Sequence, residues 1–168
     1  KSIKMIKKLL LSTVTFCLAF AAFAQVATSA TYTLRAQRVE RLNGTIDTAD
    51  ESTCPDTLVL NIPAGNYIYS VNVAYNITAY GQVWTSDTRS YAECVTTNKK
   101  EPAVFAGLIN TAGTESFVRT NLNFTTGVTA VGQLKFVLHT FRNFGPPGCD
   151  STNAKVVKNT FTVSVVHG

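Results

Sequence analysis

Histidine is scarce in this 168-residue chain, with two copies, and tryptophan and methionine occur once each. The shortage constrains nucleophilic catalysis, because a serine or cysteine nucleophile needs an imidazole oriented by a third group. His139 falls in a run with strand character, His167 stands beside Gly168, and no Gly-x-Ser-x-Gly accompanies either. Cys-x-x-Cys is absent too, so zinc would have to be held by single cysteines and those two histidines. No apolar run reaches the roughly 20 residues of a membrane-spanning helix. Beyond Gln25 no segment keeps a helical period. A glycosidase-type carboxylate pair needs no fixed spacing, but the acidic residues here fall mostly in loops. The expectation is a protein without catalytic residues, metal ligands or cofactor.

What is present begins with a targeting segment. Lys4, Lys7 and Lys8 precede an apolar run from Leu9 to Ala22, and Ala22-Phe23-Ala24 offers a small-x-small cleavage site before Gln25. A basic flank, a short apolar stretch and A-x-A predict a secretory signal peptide over 1–24, ahead of one domain over 25–168. Ser12, Thr13 and Thr15 interrupt the run, against a membrane anchor, and bulky Phe16 before Cys17 argues against lipidation there. Met5 offers a translation start. Removal of 1–24 also changes the charge. The full chain is +5, but four of its 15 Lys and Arg lie in the leader, leaving 11 against 10 acidic residues, or +1. Nucleic-acid binding by counterion release needs clustered cations, and after the leader Lys99-Lys100 is the one adjacent pair. Nucleic acid is therefore not an expected partner.

Period-two alternation dominates the remaining 144 residues. Tyr67, Tyr69, Val71, Val73, Tyr75 and Ile77 alternate with Ser70, Asn72, Asn76 and Thr78, as in a strand covering a core on one side. Val157, Phe161, Val163 and Val165 repeat the pattern against Lys158, Thr160, Thr162 and Ser164. Leu134, Phe136 and Leu138 do so with Lys135 and His139, although Val137 and Phe141 suggest burial on both faces. Shorter strands are predicted at Thr31–Val39, Thr57–Ile62, Arg89–Val95, Val104–Leu108 and Glu115–Leu122. Turn signals separate them, among them Asn43-Gly44, Pro63-Ala64-Gly65-Asn66, Tyr80-Gly81, Thr126-Gly127 and Gly145-Pro146-Pro147-Gly148. Thr45–Pro55 reads as a polar loop. Short strands at such intervals predict an all-β, antiparallel two-sheet β-sandwich, jelly-roll-like first and immunoglobulin-like second.

Cys54, Cys94 and Cys149 survive removal of the leader, so one thiol is left over if a disulfide forms. The expected pair is Cys94 with Cys149, because Cys94 ends a strand and Cys149 sits in a Gly/Pro loop able to fold onto it. Pairing of Cys54 with either remains open. Asp47, Asp50 and Glu51 lack the spacing of a calcium loop and read as a solvated turn. The densest chemical grouping is Trp84, Asp87 and Arg89 with His139 and Arg142. Placed on neighbouring strands they would form a ligand shelf, with Trp84 stacking on a sugar. The structural alternative, favoured on frequency, makes Trp84 a core plug and pairs Arg89 with Asp87 or Glu93.

These residues carry a likeness. Ile62-Pro63-Ala64-Gly65, Trp84 to Ser90, Cys94, Glu101-Pro102-Ala103-Val104-Phe105, Gly127-Val128, His139 with Arg142, Gly148-Cys149 and Lys155 to Phe161 form one series. It resembles a β-sandwich module of exported Bacteroidota cell-surface and adhesin-like proteins, over about Thr57 to Val166. The resemblance implies a surface-exposed, non-enzymatic module with Cys94 and Cys149 bonded. It also draws attention to Asp47-Thr48-Ala49, Asp56-Thr57-Leu58 and Asp150-Ser151-Thr152 as O-glycan acceptors of the kind that group of bacteria uses.

The functional expectation is a secreted structural or adhesive protein, acting outside the cell or on its surface. In one form it is the subunit of a self-assembling filament, with 25–41 donated as a strand to a neighbour or kept as an edge strand of its own sandwich. The alternative is a carbohydrate-binding module. The partners expected are a second copy of the chain or surface glycans.

Overall fold

The computed structural model describes residues 24–42 and 52–168. The leader up to residue 23, the Asn43-Gly44 turn, the acidic group Asp47, Asp50 and Glu51, and the Asp47-Thr48-Ala49 acceptor lie outside the described residues. In chain order the strands are β1 (Val26–Thr31), β2 (Gln37–Arg41), β3 (Thr57–Asn61), β4 (Ile68–Ala79) and β5 (Thr88–Cys94). Then come β6 (Lys99–Lys100), β7 (Phe105–Ala106), β8 (Gly113–Leu122), β9 (Gln133–Arg142), β10 (Gly148–Val156) and β11 (Thr162–His167). Single 3-10 turns at Thr85–Asp87 and Val95–Thr97 flank β5.

The strands form two layers. In the first, β4 lies between β8 and β11, and β1 pairs with β11 as the outer strand, all antiparallel. In the second, β9 pairs antiparallel with β5 on one side and with β3 on the other, and β6 and β7 add to β5. The layers are joined at one margin, where β10 hydrogen-bonds to both β4 and β2, and β2 runs parallel to the end of β9. From β4 through β5 and β8 to β9 the chain changes layer at each step, leaving the two-residue β6 and β7 aside, and β10 then runs along the joining margin. This all-β sandwich is jelly-roll-like, because its long strands are connected from one layer to the other rather than as hairpins within a layer.

Side-chain alternation explains which face of each strand turns inward. Val71, Val73, Tyr75 and Ile77 of β4 meet Leu134, Phe136 and Leu138 of β9, with Leu58 and Leu60 of β3 and Val163 and Val165 of β11 completing one core. Each of these side chains contributes about 1.5–3 kcal/mol by burial. A second, small cluster of Val39, Ala79, Val83 and Ala154 fills the margin where the layers join.

Between β8 and β5 the core contains charge. Arg119 donates from Nε to Glu101 Oε1 at 2.7 Å and from Nη2 to Oε2 at 2.8 Å, and from Nη1 to Tyr75 Oη at 2.6 Å. Glu101 also accepts the Ala92 N–H at 2.6 Å, and Tyr75 Oη shares a hydrogen bond with Ser90. Arg119 and Glu101 are both buried. Each end of the ion pair is answered, the condition under which a buried pair is tolerated.

Three expectations are corrected. The run 31–39 is not one strand: it is divided by a bend at 32–36, because the chain must pass from β1 in one layer to β2 in the other. Tyr32 enters the core there while Leu34 is exposed. The Gly/Pro loop around Cys149 ends at Gly148, and Gly148–Val156 is a strand. The disulfide joins Cys54 to Cys149, with Cα atoms 6.1 Å apart, and not Cys94 to Cys149 as residue reading and resemblance both implied. Cys94 is a buried free thiol. The reason lies in register: Cys94 and Ala92 turn into the core, whereas β10 sets Cys149 opposite Glu40 of β2, and Glu40 holds Thr53, the neighbour of Cys54.

Candidate functional site

Arg142 organises one end of the sandwich. It is fully buried at the end of β9, donates from Nη1 to the Phe144 carbonyl at 2.6 Å, and pairs through Nη2 with Asp150. Gly145 closes over it with φ +90°, where a side chain is strained, and a Cβ there would crowd Arg142 Nη1 at 2.7 Å. The turn after β9 is thereby held with the Phe144 ring outward. Asn143 N–H donates to the Asp87 carbonyl at 3.2 Å and ties this turn to the next one.

That next turn carries Trp84. The Trp84 N–H donates to Asp87 Oδ2 at 2.9 Å, and the Asp87 N–H returns to the Trp84 carbonyl at 3.1 Å. Thr85 anchors the turn from below through its hydroxyl to the Ile109 carbonyl at 2.8 Å, and Thr88 Oγ1 donates to the Thr85 carbonyl at 2.6 Å. Arg89 Nη1 braces it by donating to the Ser86 and Thr88 carbonyls at 2.7 and 2.8 Å. Trp84 is 46% exposed and Phe144 48%. With Gln82 and Asp87 they line an open cleft of about 180 Å³. Both aromatic side chains sit on braced turns, so little backbone freedom remains to be lost on binding.

The structure therefore brings together two of the five shelf residues, Trp84 and Asp87. Arg89 and Arg142 support the cleft from behind. Trp84 is not a core plug, and Arg89 pairs with neither Asp87 nor Glu93 but with backbone carbonyls. Phe144 and Gln82 were missed. The signal for Phe144 was present: a bulky aromatic ahead of Gly-Pro-Pro-Gly has nowhere to be buried locally.

His139 is elsewhere. It lies on the outer face of β9, buried, stacked on Tyr91 with ring centroids 4.6 Å apart and further from Phe141 at 6.4 Å. Its Nδ1 accepts the Ser52 N–H at 3.0 Å, which leaves Nε2 to donate to Glu93 at 2.8 Å. Ser52 and Cys54 are themselves buried. The segment before β3 thus lies against this face, held by His139, by Glu40 and by the disulfide.

Glu40, Cys54 and Cys149 place potential ligand atoms within 4.8 Å of one another. Both sulfurs are spent in the disulfide, and Glu40 accepts the Thr53 N–H at 2.6 Å and its hydroxyl at 2.8 Å. The donor set does not suit a metal while the bond is intact. Burial opposes ionisation of Asp150, but the Asn153 N–H, the Arg142 charge and the Thr152 N–H outweigh it and hold the carboxyl below its ordinary value. Burial pushes the Cys94 thiol up. No helix among the described residues is long and apolar enough to cross a membrane.

No family model matches the chain, and no curated protein matches it. Among solved structures it is similar to a mutant of Xylanase10C from Cellvibrio japonicus in complex with xylopentaose, at 10% identity and TM-score 0.44, over 81% of this chain and 28% of that one. It is also similar to infectious bursal disease virus VP2 in a subviral particle, at 13% identity and TM-score 0.42, over 86% of this chain and 33% of the other. The chain thus spans a third or less of either protein's length.

Proposed function

We propose that this is an exported, non-catalytic adhesive domain that binds glycans through the cleft of Trp84 and Phe144. The observation that carries the reading is the pair of half-exposed aromatic rings on turns braced by Arg89 and Arg142, beside the Asp87 carboxylate. A sugar ring stacks its C–H face on an indole, while a carboxylate and an amide accept and donate to its hydroxyls. Export is supported by the leader pattern of 1–24 and by the disulfide, which persists in oxidising surroundings. The resemblance of Thr57–Val166 to surface modules of exported Bacteroidota proteins points the same way.

Isothermal titration against a panel of soluble polysaccharides tests the cleft. Binding by the parent and its loss in Trp84→Ala, with the melting temperature unchanged, is the expected result. An unaltered affinity in Trp84→Ala, or no binding to any glycan at millimolar sugar, overturns it.

A second reading, self-assembly into an extracellular filament, is favoured by β1 and β8. β1 carries no charge, and the two charged side chains of β8, Arg119 and the half-exposed Glu115, are engaged within the chain.

A further inference from the structure

The first layer is open at both margins. Among the described residues, backbone hydrogen bonds join β1 to β11 and β8 to β4, and none joins either strand to anything on its other side. Exported proteins guard such margins with lysine, proline, bulges or very short strands. In the second layer the margin at β5 is guarded in that way, by the two-residue Lys99–Lys100 strand. β1, Val-Ala-Thr-Ser-Ala-Thr, has no charge and no proline. β8 has two charged side chains, and both are engaged within the chain: Arg119 on Glu101, and Glu115 on the N–H groups of Leu108 and Ile109 at 3.0 and 3.4 Å. Its bulge lies at the far end, near Asn121, and leaves Gly113–Val118 regularly paired.

The directions of the strands determine what fits. β1, β11, β4 and β8 alternate in direction, each antiparallel to the next. Because their number is even, a copy displaced along the sheet brings its β1 antiparallel to β8, continuing the alternation without any rotation that would close a ring. We propose that a second copy of this chain docks in this manner, β1 on β8, so that the first layer becomes one sheet running through a head-to-tail filament. The inference rests on the self-assembly reading and supplies its contact. Charge favours it, since the pairing places an uncharged strand beside one whose charges are already answered. The exposed outer row continues across the junction as well: Thr31, Thr162, Ala74 and Val118 lie in register across the four strands. Four strand spacings set successive copies about 19 Å apart. Strand twist turns each by about 80–100° relative to the last. The contact is narrow, so filaments form above a threshold concentration.

The experiment uses the full purified chain and two edge-guarded variants, Ala27→Lys/Ser29→Lys in β1 and Ser116→Lys/Val118→Lys in β8. All four positions are exposed, and thermal melting confirms that each variant folds. The parent is expected to give filaments by negative-stain electron microscopy, with a repeat near 19 Å. Each variant alone stays monomeric by light scattering. An equimolar mixture forms dimers and stops there, because each variant retains the edge the other lacks. Homodimers of either variant alone show like-with-like pairing and overturn the inference. Filaments that survive in both variants overturn it while leaving self-assembly standing. A parent that remains monomeric at millimolar concentration overturns both.

Discussion

The two layers of this sandwich solve the same problem differently. The first keeps its outer face bare: Asn72, Ala74, Asn76 and Thr78 of β4 lie level with Ser116, Val118, Thr162 and Ser164 of its neighbours, small and uncharged. The second has its outer face covered. Val137, His139 and Phe141 of β9 are buried on that side, beneath a segment fastened by a disulfide and by hydrogen bonds to His139 and Glu40. The covalent tie is on the covered layer, and the other is a ladder with free margins whose neighbouring strands are linked across by short polar pairs such as Thr31–Thr162 and Thr78–Thr114. A layer that must hold a covering segment needs specific fasteners, whereas a layer with a solvated face needs only alternation.

The comparison breaks most visibly if the fastener is removed. Cys54→Ser/Cys149→Ser opens a covalent loop with a sequence separation of 95. The chain-entropy model gives a loss of about 4–5 kcal/mol for a loop of that size. Calorimetry is expected to show it, and hydrogen exchange should rise in β9 and β5 before β4 and β8. Equal acceleration in both layers would show that the segment is not specific to the second. Glu101→Ala acts where the layers meet. It leaves the Arg119 guanidinium buried without its partner, and denaturant titration should register a loss of about 3–5 kcal/mol. Glu101→Gln, which keeps the shape and one acceptor, should cost less.

Acid sharpens the comparison further. The Asp150 carboxyl lies below its ordinary 3.8 when folded, so the folded state binds fewer protons than the unfolded chain in that range. Its stabilisation is complete above about pH 4 and is lost as pH falls through the folded value. Loosening of the turn after β9 below pH 4 should appear as a change in Trp84 fluorescence, and Asp150→Asn should remove that pH step. The smallest effect belongs to the bare face: Ser116→Lys is expected to change stability by less than about 0.5 kcal/mol.

The layers also differ in how far they were legible. β4 was readable throughout, and β11 from Phe161 onward, because one face of each meets water and the period of two survives; Val157 to Thr160, read as part of the same run, form the turn after β10. β9 was readable only in part, since Val137, His139 and Phe141 answer to a cover that lies far away in sequence. β10 and the disulfide were not readable. Gly148 and Cys149 follow two prolines and look like a loop until β2 supplies a partner more than a hundred residues earlier. The cleft was half legible. Trp84 and Asp87 were found because they are close in sequence and chemically distinctive. His139 was drawn in by its chemistry and excluded by strand parity, which places it on the opposite face of β9 from Phe136 and Leu138.

One consequence of the disulfide concerns force. Val26 is in register with His167, so a load applied across Ala24 and Gly168 pulls β1 from β11 one hydrogen bond at a time rather than all together. That zipper-like loading yields at low tension. The pull then reaches Cys54 and Cys149, and the covalent bridge carries it past everything between them. Only the segments outside the bridge can pay out, about 50 residues at roughly 3.3–3.6 Å each, or some 170 Å of slack. Under tension the protein would act as a tether with a fixed stop, its cleft and the buried Arg119–Glu101 pair lying inside the part that never feels the load.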